Sequence, residues 1–149
     1  MFLKAEELIS GQEGRAYAKI DGRNRELMYL KAVEASRRVK KKTAVRTLGH
    51  SGDQFKAAGW SGKGKMTIYY VTSLFRELML RYIRTGKDTY FDLVVVNDDE
   101  SSSFGRQTVV LKNCNLNSVV LAKLDVNAEN LDETVEFTFD GAELLDRFE

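Results

Sequence analysis

The sequence predicts a mainly β fold, a sandwich or barrel of about seven strands, with one flanking α-helix. Segments in which apolar and polar residues alternate, as they do in half-buried strands, recur along most of the chain. Only residues 74–83 carry apolar side chains at convincing helical spacing. Because 149 residues is a typical domain size, we expect residues 1–149 to form a single domain.

The first third of the chain predicts a hairpin followed by a long strand. Residues 1–13 mix apolar and acidic positions, which is typical of a tail or an arm. Residues 15–20 alternate and end at Asp21-Gly22, a strong hairpin turn signal. A return strand begins near Glu26 and continues to about Lys41 with an increasingly charged outer face. This pattern indicates a strand that projects from the body of the sheet.

A glycine-punctuated stretch then predicts a long loop at about 43–65. It contains five glycines, few aliphatic residues, the only histidine (His50) and the only tryptophan (Trp60). Loops of this length in compact domains are usually functional or are ordered by a partner, so we expect this loop to be mobile in the free monomer. A lone histidine without a second ligand nearby favours a structural or surface role over metal binding.

The central stretch, residues 60–86, is the strongest signal in the chain. Residues 66–71 alternate as a strand. Thr72 or Ser73 can cap the helix that follows, and Gly86 can end it in a left-handed conformation. Six apolar side chains form one stripe, which we expect to be buried: Leu74, Phe75, Leu78, Met79, Tyr82 and Ile83.

The last third of the chain predicts four strands and a short terminal element. The strands are expected at residues 90–96, 106–114, 119–126 and 132–140. Asparagines at 113, 115 and 117 predict a turn between the second and the third of these strands. The acidic group at 98–100 lies in a polar turn, which favours solvated carboxylates over a cation site. Residues 143–149 are expected to form a helical turn or a tail.

Charge divides the chain into a basic part and an acidic part. Residues 1–87 carry 19 Lys and Arg against 8 Asp and Glu, whereas residues 88–149 carry 4 against 14. The balances of +11 and −10 could neutralise each other within one fold, or could lie on opposite surfaces and favour head-to-tail association. A third interpretation is that the basic part, with its run at 37–42, binds nucleic acid. No aromatic residues interleave with that run, so a solvated strand face is favoured.

The sequence offers no catalytic or cofactor motif. We find no nucleophile elbow, no paired histidines, no Cys–Cys spacing and no dinucleotide fingerprint. The single cysteine, Cys114, excludes an intrachain disulfide and is expected to be a packing residue. We therefore expect no enzyme activity, cofactor, metal or small-molecule substrate. No apolar run is long enough to predict a membrane span.

The order and spacing of several short motifs resemble those of a known family across nearly the whole chain. These motifs include residues 9–15 (ISGQEGR), Gly49-His50, Gly59-Trp60, the strand entry at 62–69 and Thr72-Ser73 before the helix. They continue with Asp88, Tyr90-Phe91, residues 97–99, Gly105-Arg106 and residues 137–139. The chain thus resembles the tail tube proteins of PBSX-like prophages and related contractile-tailed phages.

The resemblance implies a structural subunit that forms hexameric rings, stacked into a hollow tube inside a contractile sheath. The tube would conduct DNA or puncture a target envelope. The implied partners are further copies of the chain and the tail sheath, tape-measure and baseplate proteins, with DNA only as cargo in the lumen. The implied location is the virion tail, assembled in the cytoplasm of the bacterial host.

The predicted loop is the candidate interface of such a subunit. Tryptophan and arginine are enriched at interface hot spots, so we expect Trp60 to be an anchor and Arg46 a charged contact with an adjacent subunit or ring. His50 and Lys63 complete the candidate set. Two alternatives stay open: a tube subunit of a DNA-free bacteriocin or secretion-type machine, and a nucleic-acid-binding module that uses residues 37–42.

Overall fold

The chain folds into antiparallel strands with one α-helix packed on them. The computed structural model describes residues 3–148, and for residues 37–41 it describes the backbone alone. Within these residues there are eight strands, one α-helix and a 3-10 helix at Ala5–Glu7. The elements are β1 Gly14–Ile20, β2 Arg23–Glu26, β3 Leu30–Val45, β4 Gln54–Tyr69, α1 Leu74–Thr85, β5 Phe91–Asp98, β6 Arg106–Ser118, β7 Asp132–Phe139 and β8 Gly141–Asp146. The predicted fold class is confirmed.

The strands pair in the order β2-β1-β5-β6-β7-β4-β3, and β8 also pairs with β6. Every pair is antiparallel. The predicted hairpin between β1 and β2 is confirmed, with Asp21 and Gly22 at φ 52° and 79°. These positive values suit the right-handed twist of the two strands.

A single hydrophobic core is formed by buried side chains of β1, β4, β5, β6, β7 and α1. The alternation predicted from the sequence places every second residue in this core along β1 from Ala16, along the inner half of β4 from Gly62, and along β7. Burial of each large apolar side chain contributes about 1.5–3 kcal/mol, so this layer supplies most of the stabilisation. Its fully buried large side chains are Phe75, Phe137, Met66, Ile68, Leu93 and Val135, with Cys114 beside them.

Helix α1 follows the prediction at both ends but not along its whole apolar stripe. The hydroxyl of Thr72 accepts the N–H of Leu74 at 3.3 Å. Gly86 is left-handed at φ 72° and donates its N–H to the carbonyl of Tyr82, which ends the helix. The first half of the stripe is buried, but Tyr82 and Ile83 are 48% and 61% exposed. The expectation of a fully buried stripe is therefore wrong, because only the first half of the helix contributes buried side chains to the core.

Strand β6 runs through the asparagines that were expected to form a turn. Asn113 adopts a left-handed conformation at φ 53°, yet the strand continues to Ser118. Up to Lys112 the strand pairs with β8, and from Asn115 onward it pairs with β7. The turn prediction is wrong because an asparagine that tolerates this conformation can also form a bulge within a strand.

Two further sequence predictions, for residues 119–126 and for residues 143–149, are wrong. Residues 119–131 contain no strand, although a strand was expected at 119–126. Residues 143–149 were expected to form a helical turn or a tail, whereas Gly141–Asp146 is strand β8. Leu144 and Leu145 are adjacent apolar residues, so the sequence shows no apolar–polar alternation here. Both are more than half exposed, and the strand is defined by its pairing with β6.

Strands β3 and β4 form a hairpin of sixteen residues on each side. The prediction of a projecting strand before Lys41 is confirmed, but the prediction of a loop at about 43–65 is wrong. Pairing continues to Val45 and Gln54, so the connection is only residues 46–53. The strand was missed because residues 54–61 are exposed on both faces and therefore show no apolar alternation.

Candidate functional site

The outer part of the β3–β4 hairpin, residues 37–61, is here called the arm. β7 ends its pairing with β4 at Phe139, opposite Gly62, so the arm consists of two strands that pair only with each other among the described residues. At about 3.3 Å per residue, its paired part extends roughly 25 Å beyond the sheet. An isolated two-stranded ribbon is marginally stable in water, so the arm is suited to docking on another surface.

The tip of the arm contains two of the four candidate interface residues. Arg46 Nε lies 3.3 Å from Asp53 Oδ1 across the connection, and both side chains are largely exposed. His50 Nδ1 lies 2.8 Å from the carbonyl oxygen of Gly52. Both contacts hold the turn, while Leu48 between them is fully exposed.

The other two candidate residues lie elsewhere on the hairpin. Trp60 is at the base of the arm, 38% exposed, with its ring 6.0 Å from that of Phe139 in the body. Lys63 lies within the body, in register with Ser36 and Thr138. The structure therefore brings Arg46 and His50 together at the tip and does not bring them together with Trp60 or Lys63.

The arm is strongly basic in sequence. Residues 37–61 contain seven Lys and Arg and a single acidic residue, Asp53. The side chains of five residues in the basic run, 37–41, lie outside the described residues, and that of Lys42 is exposed. An arm of this charge favours an acidic or anionic surface.

The acidic turn after β5 has a structural role that the sequence did not predict. Asp99 is only 5% exposed, although a solvated turn was expected. Its carboxylate accepts hydrogen bonds from the N–H of Ser10 at 2.8 Å and from the hydroxyl of Ser101 at 2.6 Å. These bonds hold the pKa of Asp99 below its usual range. They also fix the N-terminal segment, where the hydroxyl of Ser102 donates to the carbonyl of Glu7. No spacing in the sequence indicated that these two regions meet.

Two surface grooves accompany these features. One, of about 260 Å³, lies between the second half of α1 and residues 88–89 and 116–117. The other, of about 340 Å³, lies between residues 12–15 and 98–101. The first groove has a mixed lining, in which apolar residues lie beside polar ones: Leu78, Met79, Tyr82, Leu116, Asp88, Thr89 and Asn117. Sequence reasoning did not indicate it, because three of its apolar residues belong to the predicted core stripe.

Groups suited to metal binding or thiol chemistry are not brought together in the described part of the chain. Residues 3–148 contain no cluster of three His, Cys, Asp or Glu side chains that could hold a metal ion. Cys114 is fully buried, and burial raises the pKa of its thiol to about 12. It therefore packs in the core, as predicted. No helix in this range is long and apolar enough to cross a membrane.

Comparison with known proteins gives a consistent result at the level of sequence. A family model described as "Phage tail tube protein" matches residues 1–146. The chain is 42% identical over 140 residues to the "Phage-like element PBSX protein XkdM" of Bacillus subtilis (strain 168). That match covers 94% of this chain and 92% of the relative.

Solved structures share the fold at low sequence identity. A chain of the anti-feeding prophage baseplate, solved by cryo-EM with six-fold symmetry, matches with a TM-score of 0.67 at 12% identity, covering 97% of both chains. A chain of an extracellular contractile injection system, the PVC sheath-tube complex in its extended state, matches with a TM-score of 0.62 at 12% identity. That match covers 94% of this chain and 93% of the other.

Proposed function

The chain belongs to the phage tail tube protein family, and we propose that its copies form hexameric rings that stack into a hollow tube within a contractile sheath. The role is structural, without catalysis. Its partners are further copies of itself and the sheath, tape-measure and baseplate proteins of the same particle. Assembly takes place in the cytoplasm of the bacterial host before the tube becomes part of the virion tail.

The observation that carries this proposal is the arm. Beyond Trp60 at its base, this two-stranded ribbon extends roughly 25 Å from the sheet and pairs with no third strand among the described residues. An adjacent ring supplies a surface for it when subunits stack head to tail. Separate heterologous contacts within one layer close into a ring when their rotation closes, and head-to-tail stacking of such rings produces a tube.

Charge supports the same assembly. The basic arm belongs to the +11 part of the chain, whereas residues 88–149 carry a balance of −10. Contact between the arm of one ring and the acidic surface of the next places these charges opposite each other. Salt should weaken this contact, because charges are screened beyond about 8 Å at physiological ionic strength.

The relatives support a tube that conducts DNA as well as a tube that carries none. The PBSX relative belongs to a phage-like element, and the structural neighbours come from an anti-feeding prophage and from an extracellular injection system. We propose a phage or phage-like tail tube that conducts DNA, with a DNA-free injection tube as the alternative. Assay of nuclease-protected DNA in purified whole particles distinguishes the two.

The first experiment is negative-stain electron microscopy of the concentrated protein, together with its size-exclusion profile. We expect hollow rings or tubes with sixfold end views. A variant in which Asn-Gly replaces residues 39–60 removes most of the arm and leaves the pairing of the body intact. It should form rings or remain monomeric, and tubes as abundant as those of the full chain would contradict the docking role of the arm.

Substitutions at single positions then test the candidate contacts. Trp60→Ala and Arg46→Ala should each raise the concentration at which tubes form. The matched control is Val71→Ala, since Val71 is 72% exposed and lies outside the arm. Tubes that are equally stable from low salt to 1 M salt would contradict the electrostatic part of the proposal.

The nucleic-acid alternative predicts a different result from the same protein. If residues 37–42 bind DNA, the monomer should bind a short duplex with a strong salt dependence. Stoichiometric binding by monomers that form neither rings nor tubes would favour a nucleic-acid-binding module over the tube.

A further inference from the structure

The arm leaves the body of the sheet through two β-bulges. The register of β3 against β4 shifts first beside Arg38, an extra residue on β3, and then beside Ala58, an extra residue on β4. Gly59, next to the second shift, has φ 120°, a conformation that residues other than glycine rarely adopt. A bulge bends its strand and increases the local twist. The direction of the arm is therefore set within the few residues between these two bulges.

A row of three aromatic rings runs along the same stretch of β4. Phe137 pairs with Gly64, and Phe139 pairs with Gly62. An added Cβ at either glycine would collide with the ring of its partner, so the two rings lie directly over the backbone of β4. Trp60 is the next residue on the same face of β4, because side chains alternate along a strand. Its ring lies 6.0 Å from that of Phe139, at an interplanar angle of 55°.

This row leads from the core to the base of the arm. Phe137 is fully buried and Phe139 is 7% exposed, whereas Trp60 is 38% exposed. Strand β7 ends at Phe139, so Trp60 lies one step beyond the last pair that holds β4 in the sheet. Trp60 also lies between the two bulges. Its ring therefore joins the base of the arm to the core at the place where the arm can pivot.

We propose that the ring of Trp60, packed on Phe139, fixes the direction in which the arm projects from the sheet. The bulges allow the ribbon to pivot, and the ring contact opposes this motion because a tilt of the arm would separate the two rings. Trp60 is then a positioning residue, whereas the sequence suggested an anchor on an adjacent subunit.

The length of the arm makes its direction important for docking. With an arm of roughly 25 Å, a rotation of about 10° at the base displaces the tip by about 4 Å. An arm that is already held in one direction loses less conformational freedom when it docks, which strengthens binding. This consequence rests on the proposed function, in which the arm contacts an adjacent ring. The ring contact itself is a property of the single chain.

Pulsed electron paramagnetic resonance on dilute protein measures the direction of the arm. Nitroxide labels are attached at Ala57→Cys, beyond both bulges, and at Val71→Cys, in the body, since both native side chains are exposed. The native Cys114 is fully buried and stays unlabelled. We expect a narrow distance distribution, which Trp60→Ala should broaden by about twofold. The matched control is Phe55→Ala, which removes an exposed ring further out on the arm and should leave the width unchanged.

Fluorescence tests the ring contact itself, since Trp60 is the only tryptophan in the chain. Phe139→Leu keeps an apolar side chain at this site but removes the ring. We expect the emission of Trp60 to shift to longer wavelength and its quenching by acrylamide to become about twofold faster. The matched control is Phe91→Leu, which removes a buried ring beside Phe75 and should leave both readouts unchanged. Thermal unfolding of each variant monitors the fold.

Assembly distinguishes positioning from direct contact with another copy. Because Phe139 is 7% exposed, its side chain offers little surface to a second copy. Phe139→Leu should nevertheless raise the concentration at which tubes form, by about as much as Trp60→Ala does. Trp60→Phe retains a ring that can pack on Phe139, and should restore tube formation to within about twofold of the parent chain.

Each outcome separates this inference from the proposed function. A distance distribution that stays narrow in Trp60→Ala overturns the positioning role and leaves the tube function intact. The positioning role is also overturned if Trp60→Phe assembles as poorly as Trp60→Ala, because the indole would then be needed for a contact with another copy. A parent chain that forms neither rings nor tubes contradicts the proposed function, whereas a broadened distribution in Trp60→Ala would still support an arm fixed by Trp60.

Discussion

Asn113 of β6 faces Asp140 at the junction of β7 and β8. Asn113 Nδ2 lies 3.1 Å from both carboxylate oxygens of Asp140. Asp140 is the single residue between β7 and β8, and the pairing with β6 keeps its register across it. The N–H of Asn113 donates to Asp92 Oδ1 at 3.2 Å, which ties the third strand to the same point. This contact therefore fixes the place where β6 changes its partner.

The bonds of Asn113 to Asp140 and its positive φ predict different losses of stability for two substitutions of Asn113. Asn113→Ala removes the bonds to Asp140 and places an alanine at φ 53°, so we expect a loss of about 1–2 kcal/mol in the free energy of unfolding. Asn113→Gly loses the same bonds but adopts this conformation freely, and should be less destabilising. Urea denaturation measures both, and equal losses would contradict a strained backbone at this position.

Much of the fold could be predicted because local signals agreed with the final structure. The Asp21-Gly22 turn, the helix between Thr72 and Gly86 and the alternation in β7 are properties of short segments, and all are confirmed. The family resemblance depended on the order of motifs along the chain, and it is confirmed by the sequence comparisons.

The remaining features depend on contacts that are distant in sequence. The outer half of β4 has no apolar face, so only its pairing with β3 identifies it as a strand. Asp99 is buried because Ser10, 89 residues away, donates to it. For the candidate site, the sequence located Arg46 and His50 in the connecting segment but could not show that Lys63 lies in the body of the sheet.

Close packing over Gly64 predicts a large effect from one added methyl group. A Cβ at this position would lie 2.4 Å from Phe137 Cζ and 3.0 Å from the carbonyl oxygen of Glu34. Phe137 is fully buried, so the ring has little room to move. We expect Gly64→Ala to lower the free energy of unfolding by about 1–3 kcal/mol.

The matched control for Gly64 is Gly11, where an added Cβ meets no atom within 4 Å. Gly11→Ala should change stability by less than about 0.5 kcal/mol. Similar denaturation midpoints for the two variants would contradict close packing between β4 and β7.

The buried ion pair between α1 and β7 predicts a strong and pH-dependent effect. Arg76 Nη1 lies 2.6 Å from Glu133 Oε2, with the two side chains 12% and 1% exposed. Burial raises the pKa of Glu133 and Arg76 opposes this increase. Arg76→Ala leaves a buried carboxylate without its cation, so we expect a loss of about 3–5 kcal/mol at pH 7.

The sign of the pH dependence follows from the direction of the pKa shift. A carboxyl group whose folded pKa is raised contributes most to stability below its unfolded pKa, and this contribution is lost as the pH rises through the folded value. Without Arg76 the pKa of Glu133 rises further, so the deficit of the variant should shrink towards pH 4. Arg84→Ala, on the exposed side of the same helix, is the control. A deficit that stayed constant from pH 7 to pH 4 would contradict an unpaired carboxylate as its cause.

The hydrogen bond from the N–H of Ser10 to the carboxylate of Asp99 predicts that low pH releases the N-terminal segment. Hydrogen bonds from Ser101 and Ser10 lower the pKa of this carboxyl group in the folded chain. A lowered pKa contributes stability above the unfolded value of 3.8, and this contribution is lost as the pH falls through the folded value. The amide proton resonance of Ser10 should therefore titrate with a midpoint below 3.8.

Substitution separates the Asp99 contact from general acid unfolding. Asp99→Asn should remove this titration and accelerate proteolysis between residues 8 and 13 at neutral pH, because the amide group cannot replace the charged acceptor. Asp98→Asn is the control, since Asp98 is exposed and only its backbone N–H bonds to the segment, at the carbonyl of Glu13. Equal proteolysis of the two variants would show that main-chain bonds hold the segment and that the Asp99 carboxylate does not.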